Sequence, residues 1–488
     1  MLLSRTRNRR EHRTEPVSTR QHLVPLETSM TTGPIGLFAP QPQRPRLGTV
    51  ALASGAAWVL AGNDTGVMVT ASPRLYPHMW SWDAAFIMVG LAQLDVDRAA
   101  REMETLLSGQ WADGMIPHIV FSEENGYFPG PDRWQTAVVC EHAPARPHTS
   151  GICQPPVHAI ALRKIVDAGR RRSGADRRRA ESLLRTSWPR LFAWQRWLAT
   201  YRDPLGTGLI AVTHGWESGM DNSPRWDSAY AAVRPGSNLP PYVREDLDKV
   251  GDEGERPTDA EYDRYLWLIE EMRRVGYRAD EIVRTGSFLV GDVFLTALFV
   301  LSCEVLAELG EEANQPEEQI ALLRHWAARS RAAVLDTRDP VTGMARDYDV
   351  RAGKWVSVPS IAGFAPLLCG GLDPRQQAEM VAVLEGPDWM GHPDLVAATP
   401  PTVSPSSPQF MPKQYWRGPQ WPVISWLFSW AMRRGGLDDT AAGIRAETLR
   451  LASDGTFAEY YHPLTGAPLG SLSQSWTAAV VLDWLYEG

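Results

Sequence analysis

An all-α fold is predicted for the 488-residue chain, and three observations predict it. Apolar residues recur at three- and four-residue spacing along most of the sequence, the period of a helix with one buried face. Strand-like alternation is confined to short pieces such as KWVSVPSIAG. The helical stretches alternate with long segments dense in Gly, Pro, Trp, Tyr, Asn and Asp, which break helices and shape loops.

Taken in order, residues 1–45 read as a tail, Arg-rich over the first thirty and then rich in Pro and Gln, with too little apolar content to build a core. A single domain is predicted from 46 to 488. Helical spacing covers 47–62, 83–107, 157–166, 181–201, 262–275, 290–309, 317–335, 377–384, 419–434, 437–451 and 473–485; in the last, Trp476, Val480 and Trp484 share one face. Between them lie the loops 76–83, 110–154, 213–227, 390–420 and 457–473. Loops of this length inside a compact domain usually carry function. The stretch 234–261 differs in kind, and its acidic half REDLDKVGDEGERPTDAE reads as a solvated lid or spacer. The repeated pattern of loop then helix suits helical hairpins set round a common axis, although spacing alone does not close the ring.

Composition narrows the function. Apolar residues at 44% and charged residues at 22% are ordinary for a globular chain. A formal charge of -8 offers no field for polyphosphate, so nucleic acid is not an expected partner. Cys140, Cys153, Cys303 and Cys369 form no C-x-x-C pair and no disulfide scaffold. The apolar run FLTALFVLSCEVL, from Phe294, is short and carries Glu304, so no membrane span is expected. The first residues lack a signal-peptide pattern, and a cytoplasmic location is the expectation. No metal or cofactor motif is present: there is no phosphate-binding glycine loop and no H-E-x-x-H, and His118, His142, His148 and His158 lack zinc spacing. Homo-oligomerisation is left open. The twenty tryptophans suit a small-molecule site for sugars, whose apolar faces aromatic rings cover, although aromatic residues also fill cores.

Four loops concentrate chemistry. HGWESGMDNSPRWD, 214–227, carries Trp216, Glu217, Asp221 and Asp227; its Gly and Pro residues enforce a turn, and Ser223 is placed to cap a helix starting at Pro224. Its acids could equally cap helices and hold Arg225. DGTFAEYYHPLTGAPLG holds Glu459 next to Tyr460 and Tyr461, with Trp476 following. Two carboxyls in aromatic surroundings would have their pKa values pushed apart, one staying protonated to donate to a leaving oxygen and the other ionised to activate water. RLYPHMWSWDAAF offers Trp80 and Trp82 as ring platforms and Asp83 as a hydroxyl acceptor or helix cap. PKQYWRGPQWPV combines Lys413 and Arg417 with Tyr415, Trp416 and Trp421, and suits an anionic group on a ring-bearing molecule, with Pro419 fitting a first helical turn. Internal salt bridging of Arg417 explains that loop as well.

WSWDAAF, WESGMDNSPRWD, YWRGPQWPV and FAEYYHPLTGAPLGSLSQSWTAA resemble the inverting α-glycosidases that include processing α-glucosidase I and the bacterial mannosylglycerate and glucosylglycerate hydrolases. The likeness spans about 47–488, and the compact length looks like the bacterial branch, nearest its glucosylglycerate hydrolases. It implies an (α/α)6 barrel whose long loops form the active site, with Asp221 as general acid and Glu459 as general base. It also implies sugar contacts at Trp82 and Asp83, glycerate contacts at Tyr76, Tyr415, Trp416 and Arg417, and further substrate contacts at Gln154 and Gln474. Trp80, Trp216, Glu217 and Trp476 complete the candidate site. Cys153 stands where the family motif carries threonine. The implied reaction splits 2-O-α-D-glucosyl-D-glycerate, with the mannosyl compound as a second substrate. A hydrolase of neutral α-glucosides and a non-catalytic sugar-binding protein are the competing expectations.

Overall fold

A computed structural model describes residues 46–486 except 124–126, 173, 245–246, 248–253 and 255. The predicted tail at 1–45 lies outside the described residues, as does much of the acidic half of the 234–261 insert. Among the described residues twelve helices form six pairs, five of them hairpins and the sixth made by the first and last of the twelve. In chain order these are α1 (Thr49–Gly62), α2 (Ser81–Leu94), α3 (Val96–Ser108), α4 (His158–Arg171), α5 (Ala175–Tyr201), α6 (Val293–Glu312), α7 (Glu317–Asp336), α8 (Ala365–Cys369), α9 (Pro374–Leu384), α10 (Pro422–Arg434), α11 (Asp438–Leu451) and α12 (Ser475–Tyr486).

The even-numbered helices form an inner ring. Each packs on the next, α2 on α4, α4 on α6, and so on through α8, α10 and α12, and α12 returns to α2. Each also packs on one outer helix: α2 on α3, α4 on α5, α6 on α7, α8 on α9, α10 on α11, and α12 on α1. This is the (α/α)6 barrel that the sequence resemblance implies. The inner helices α2, α6 and α12 are covered on nearly every side, so their sequences lose the one-sided pattern. In α2, Ser81 through Gln93 are all buried. Helix α6 is long and apolar enough to cross a membrane, yet 89% of its apolar window is buried inside the protein, which identifies it as a wall of the double ring.

The seam falls between the two ends of the domain. Asn63, just past α1, donates to Ser475 Oγ at 2.8 Å, and the Leu47 amide donates to the Ser453 carbonyl at 2.7 Å. Deeper in, Asp483 of α12 accepts from Lys164 of α4 (2.7 Å), Gln93 of α2 (2.9 Å) and Trp426 of α10 (2.9 Å), so one buried carboxylate ties four inner helices together. All four cysteines are free and buried.

Several boundaries differ from the sequence expectation. The stretch 83–107 is two helices, because Asp95 takes an extended conformation (φ -147°, ψ 109°) and its side chain accepts from the amides of Asp97 and Arg98, capping α3. Helix α8 is a missed element, five residues after a 3-10 turn and too short to show a period. Helix α10 starts at Pro422, whereas Pro419 belongs to the preceding loop. Ser223 precedes a 3-10 turn at Pro224–Trp226 and makes no side-chain cap. The insert continues into a further helix, Asp259–Arg274, opened by a Thr258–Glu261 capping box. Strands are few: a four-stranded antiparallel sheet joins Ala211–Val212, Val290–Gly291, Asp347–Asp349 and Lys354–Val356 in that order, and the last comes from the KWVSVPSIAG piece.

Candidate active site

At the end of the barrel where the inner helices begin, the connecting loops line a pocket with a cavity volume of about 90 Å³. Tyr76, Trp80, Trp82, Asp83, Gln154, Trp216, Asp221, Tyr415, Trp416, Glu459 and Trp476 all line it. The strand pair Met79–Trp80 with Ile119–Val120 delivers Trp80, and the first turn of α2 then presents Trp82 and Asp83. The Trp82 amide donates to Gln154 Oε1 at 3.1 Å, joining two of the predicted loops. The wall is aromatic: Trp82 packs against Trp416 and Trp476 at ring separations of 5.9 and 5.8 Å, and Trp416 stacks on Trp421 at 3.6 Å.

The loop carrying Asp221 is braced from behind. His214 Nδ1 accepts the Trp216 amide, so Nε2 carries the ring proton and donates to the Tyr265 carbonyl at 3.1 Å. Arg225 forks onto Asp347 at 2.7 Å and also pairs with Asp292, leaving the three acids of its own loop free of it. Gly219, at φ +72°, lies under the Trp82 ring, and a Cβ there would come within 2.6 Å of it.

Glu459 sits at the start of a short hairpin in which Tyr460–Tyr461 pairs with Pro468–Leu469. Its Oε1 accepts from Tyr76 OH at 2.8 Å and its Oε2 from the Ser471 amide at 3.1 Å. Since Tyr76 gives its proton to Glu459, Tyr415 OH is the donor in their 3.2 Å contact. Gly470, at φ +65°, leaves no room for a side chain: a Cβ would lie 2.4 Å from Glu459 Oε2.

Three acids thus share the cavity with one another's fields. Asp221 is pushed up to about 7, chiefly by loss of water, with Arg256 pulling it down and Glu459 pushing it up. Asp83, 7% exposed, is pushed well above the usual carboxylate range by burial and then by the Glu459 charge. Arg256 is the cation among them. Burial opposes its charge, but Tyr76, Tyr415 and Glu459 outweigh burial and hold it protonated. It donates to Tyr76 OH at 3.2 and 3.3 Å and lies over the Tyr415 ring at 5.2 Å.

Three predicted residues do not reach the cavity. Glu217 is fully buried behind the loop, forked by Arg202 at 2.7 Å and further bonded by the Thr213 and Cys153 amides, so it braces the scaffold. Cys153 adds its thiol to the same carboxylate at 3.5 Å. Arg417 is forked onto Asp227 and turned away from the cavity. Gln474 is fully buried next to the lining, and neither end of its amide has a hydrogen-bond partner. Conversely, Arg256, His118, Tyr127, Tyr262 and Tyr265 line the cavity without having been singled out. Tyr262 and Tyr265 carried the signal of three-residue spacing on one helix. Arg256 carried none, being one cation in an acidic stretch. His118 is kept neutral, its pKa lowered to about 3 by burial and by His214. Among the described residues no group of three or more His, Cys, Asp or Glu is placed to hold a metal ion.

Comparison with known proteins adds to this geometry. Residues 76–477 match the family model of the mannosylglycerate hydrolase MGH1-like glycoside hydrolase domain. The glucosylglycerate hydrolase of Mycolicibacterium hassiacum is 54% identical over 445 residues, covering 91% of this chain and 100% of that protein. Among solved structures, the GH63 mannosylglycerate hydrolase of Thermus thermophilus in complex with Tris and D-glycerate superposes with a TM-score of 0.80 at 39% identity, covering 89% of this chain and 99% of that one. The neutral trehalase Nth1 of Saccharomyces cerevisiae matches at a TM-score of 0.51 and 14% identity, covering 88% of this chain and 79% of that one, a likeness of fold alone.

Proposed function

Because the chain belongs to the mannosylglycerate hydrolase MGH1-like glycoside hydrolases, and is itself a glycoside hydrolase, we propose that it cleaves 2-O-α-D-glucosyl-D-glycerate to glucose and D-glycerate with inversion, and accepts the mannosyl compound as a second substrate. The observation that carries the reading is the placement of Arg256 in the same cavity as two carboxyls from separate loops, Asp221 and Glu459. A neutral α-glucoside offers a buried guanidinium only hydroxyl oxygens, whereas a glycerate carboxylate pairs with its charge. The activities of these relatives, on glucosylglycerate and on mannosylglycerate, support both sugars.

In this reaction Asp221, raised to about 7, keeps its proton near neutrality and delivers it to the glycosidic oxygen as the bond to the anomeric carbon breaks. Glu459, an acceptor held by Tyr76 and Ser471, takes a proton from the water that attacks the opposite face. Inversion needs about 6.5–9.5 Å between the two carboxyls, room for that water. Trp82, Trp416 and Trp476 cover the sugar faces, and Asp83 and Gln154 meet hydroxyls. Water exclusion by the aromatic wall strengthens each polar contact.

The test is kinetic and stereochemical. Asp221→Asn and Glu459→Gln each remove turnover while circular dichroism stays unchanged, and proton NMR shows β-glucose released first. First release of the α-anomer, or near wild-type turnover by either variant, refutes the assignment. Arg256→Met raises KM for glucosylglycerate by at least about tenfold, the loss of a charge-assisted pair. An unchanged KM removes Arg256 from the carboxylate.

A further inference from the structure

The sequence places Arg417 beside the substrate carboxylate; the structure places it behind the wall, at the crossing of two loops. Its guanidinium forks onto both oxygens of Asp227 at 2.8 and 2.7 Å and also donates to the Asn222 carbonyl at 3.1 Å. Asn222, the residue after Asp221, accepts the Trp416 amide on its Oδ1 at 2.9 Å. Asn222 is 3% exposed and Arg417 9%, so the two bonds to Asn222 are sheltered from water, while the fork runs out to a half-exposed Asp227. Four hydrogen bonds therefore lock the loop of the proton donor to the loop of Tyr415 and Trp416. Tyr415, held in the left-handed region at φ +44°, reaches Tyr76, which donates to Glu459. Glu459 is held independently of this lock by the Ser471 amide at 3.1 Å.

We infer that Arg417, acting through Asp227 and Asn222, is a positioning residue that fixes where Asp221 stands relative to the leaving oxygen. The inference rests on Asp221 being the proton donor. Nothing in it requires Arg417 to touch substrate, and the geometry keeps it from doing so: both arms of the fork are engaged by Asp227. A planar fork is what the site uses, since a lysine could carry the charge but not both parallel bonds.

A pair of substrates separates this role from binding and from general loosening. Glucosylglycerate needs a proton on its leaving oxygen; α-D-glucosyl fluoride loses fluoride without one and depends on Glu459 and the sugar pocket alone. Arg417→Met should lower kcat on glucosylglycerate on the order of 10²-fold, the effect of misplacing a reacting group by about 1 Å. Its KM for glucosylglycerate, and its turnover of the fluoride, should stay within about threefold of wild type. Arg417→Lys should recover part of kcat. Asp221→Asn is the reference and should show the same selectivity, lost on glucosylglycerate and kept on the fluoride. A higher KM for glucosylglycerate with kcat intact would make Arg417 a substrate ligand and overturn the inference. Equal losses on both substrates, or no loss on either, would overturn it as well. Should Arg417→Met not fold, Asp227→Asn carries the same comparison, because it removes the fork from a carboxylate that is 47% exposed. If Asp221→Asn loses both substrates equally, the proton-donor assignment itself fails, a result distinct from any outcome at Arg417.

Discussion

The role proposed for Asp221 depends on where its proton stays. An exposed aspartic acid is ionised at neutral pH, but here burial, reinforced by Glu459, raises it to about 7 in spite of Arg256. The proton is present below that value and lost above it, so kcat/KM should fall on the alkaline side with a midpoint near pH 7. Arg256→Met removes the cation that favours the ionised form, and should move that midpoint to higher pH. A pH-rate profile of the two proteins measures both; an alkaline limb that Arg256→Met lowers, or leaves in place, contradicts the account. At this scale the sequence was informative about identity and poor about direction. Loop composition drew attention to the segments that carry Asp221, Glu459 and the tryptophans, but left three acids of 214–227 equal, and only the family resemblance singled out Asp221 and Glu459. Neither could tell that Arg417 points outward, since a fork between Arg417 and Asp227 joins positions 190 residues apart. Nor could they show that Arg256, in a stretch whose neighbours are mostly acidic, folds inward onto Tyr76 and Tyr415.

Among elements, the barrel separates scaffold from chemistry along each inner helix. The starts of α2, α4 and α12 meet the cavity loops, while their far ends carry packing, caps and the buried Asp483 bonds. Asp95 is such a cap, between α2 and α3 and remote from the site. Asp95→Ala should cost about 1 kcal/mol in urea unfolding, a lost N-cap, and leave kcat unchanged; a change in kcat would mean that the two ends of the hairpin are coupled. Helical period was legible in eleven stretches because most of the helices bury one face and leave the other wet. It failed where that asymmetry vanishes. The 83–107 stretch hid its break because α2, apolar all round, runs straight into the amphipathic α3. Helix α8 at 365–369 is one turn and has no period to show.

For the molecule as a whole, the ring is stapled from inside. Asp483 gathers Lys164, Gln93 and Trp426, and with its own helix joins four of the six inner walls. Its side chain is fully buried and that of Lys164 nearly so. Asp483→Asn should destabilise the fold by about 3 kcal/mol, since a buried ammonium then faces an amide in place of a carboxylate. Combining it with Lys164→Met should recover much of that loss in chemical denaturation; a double variant less stable than the single one contradicts a charge-based cost. Ring closure itself was not legible, because helical spacing orders the hairpins along the chain without bending them into a circle.

The seam between α1 and α12 sets the order of events during synthesis. Among the described residues the first helix made is an outer one, and the inner helix it covers is the last. Until α12 leaves the ribosome, five hairpins stand as an open arc with α1 and the bare flank of α2 exposed, waiting on the contact of greatest sequence separation in the domain. Glu459 lies just before that final helix. On the roles proposed for Asp221 and Glu459, a nascent chain therefore holds the proton donor long before it holds the base, and catalysis waits for the circle to shut.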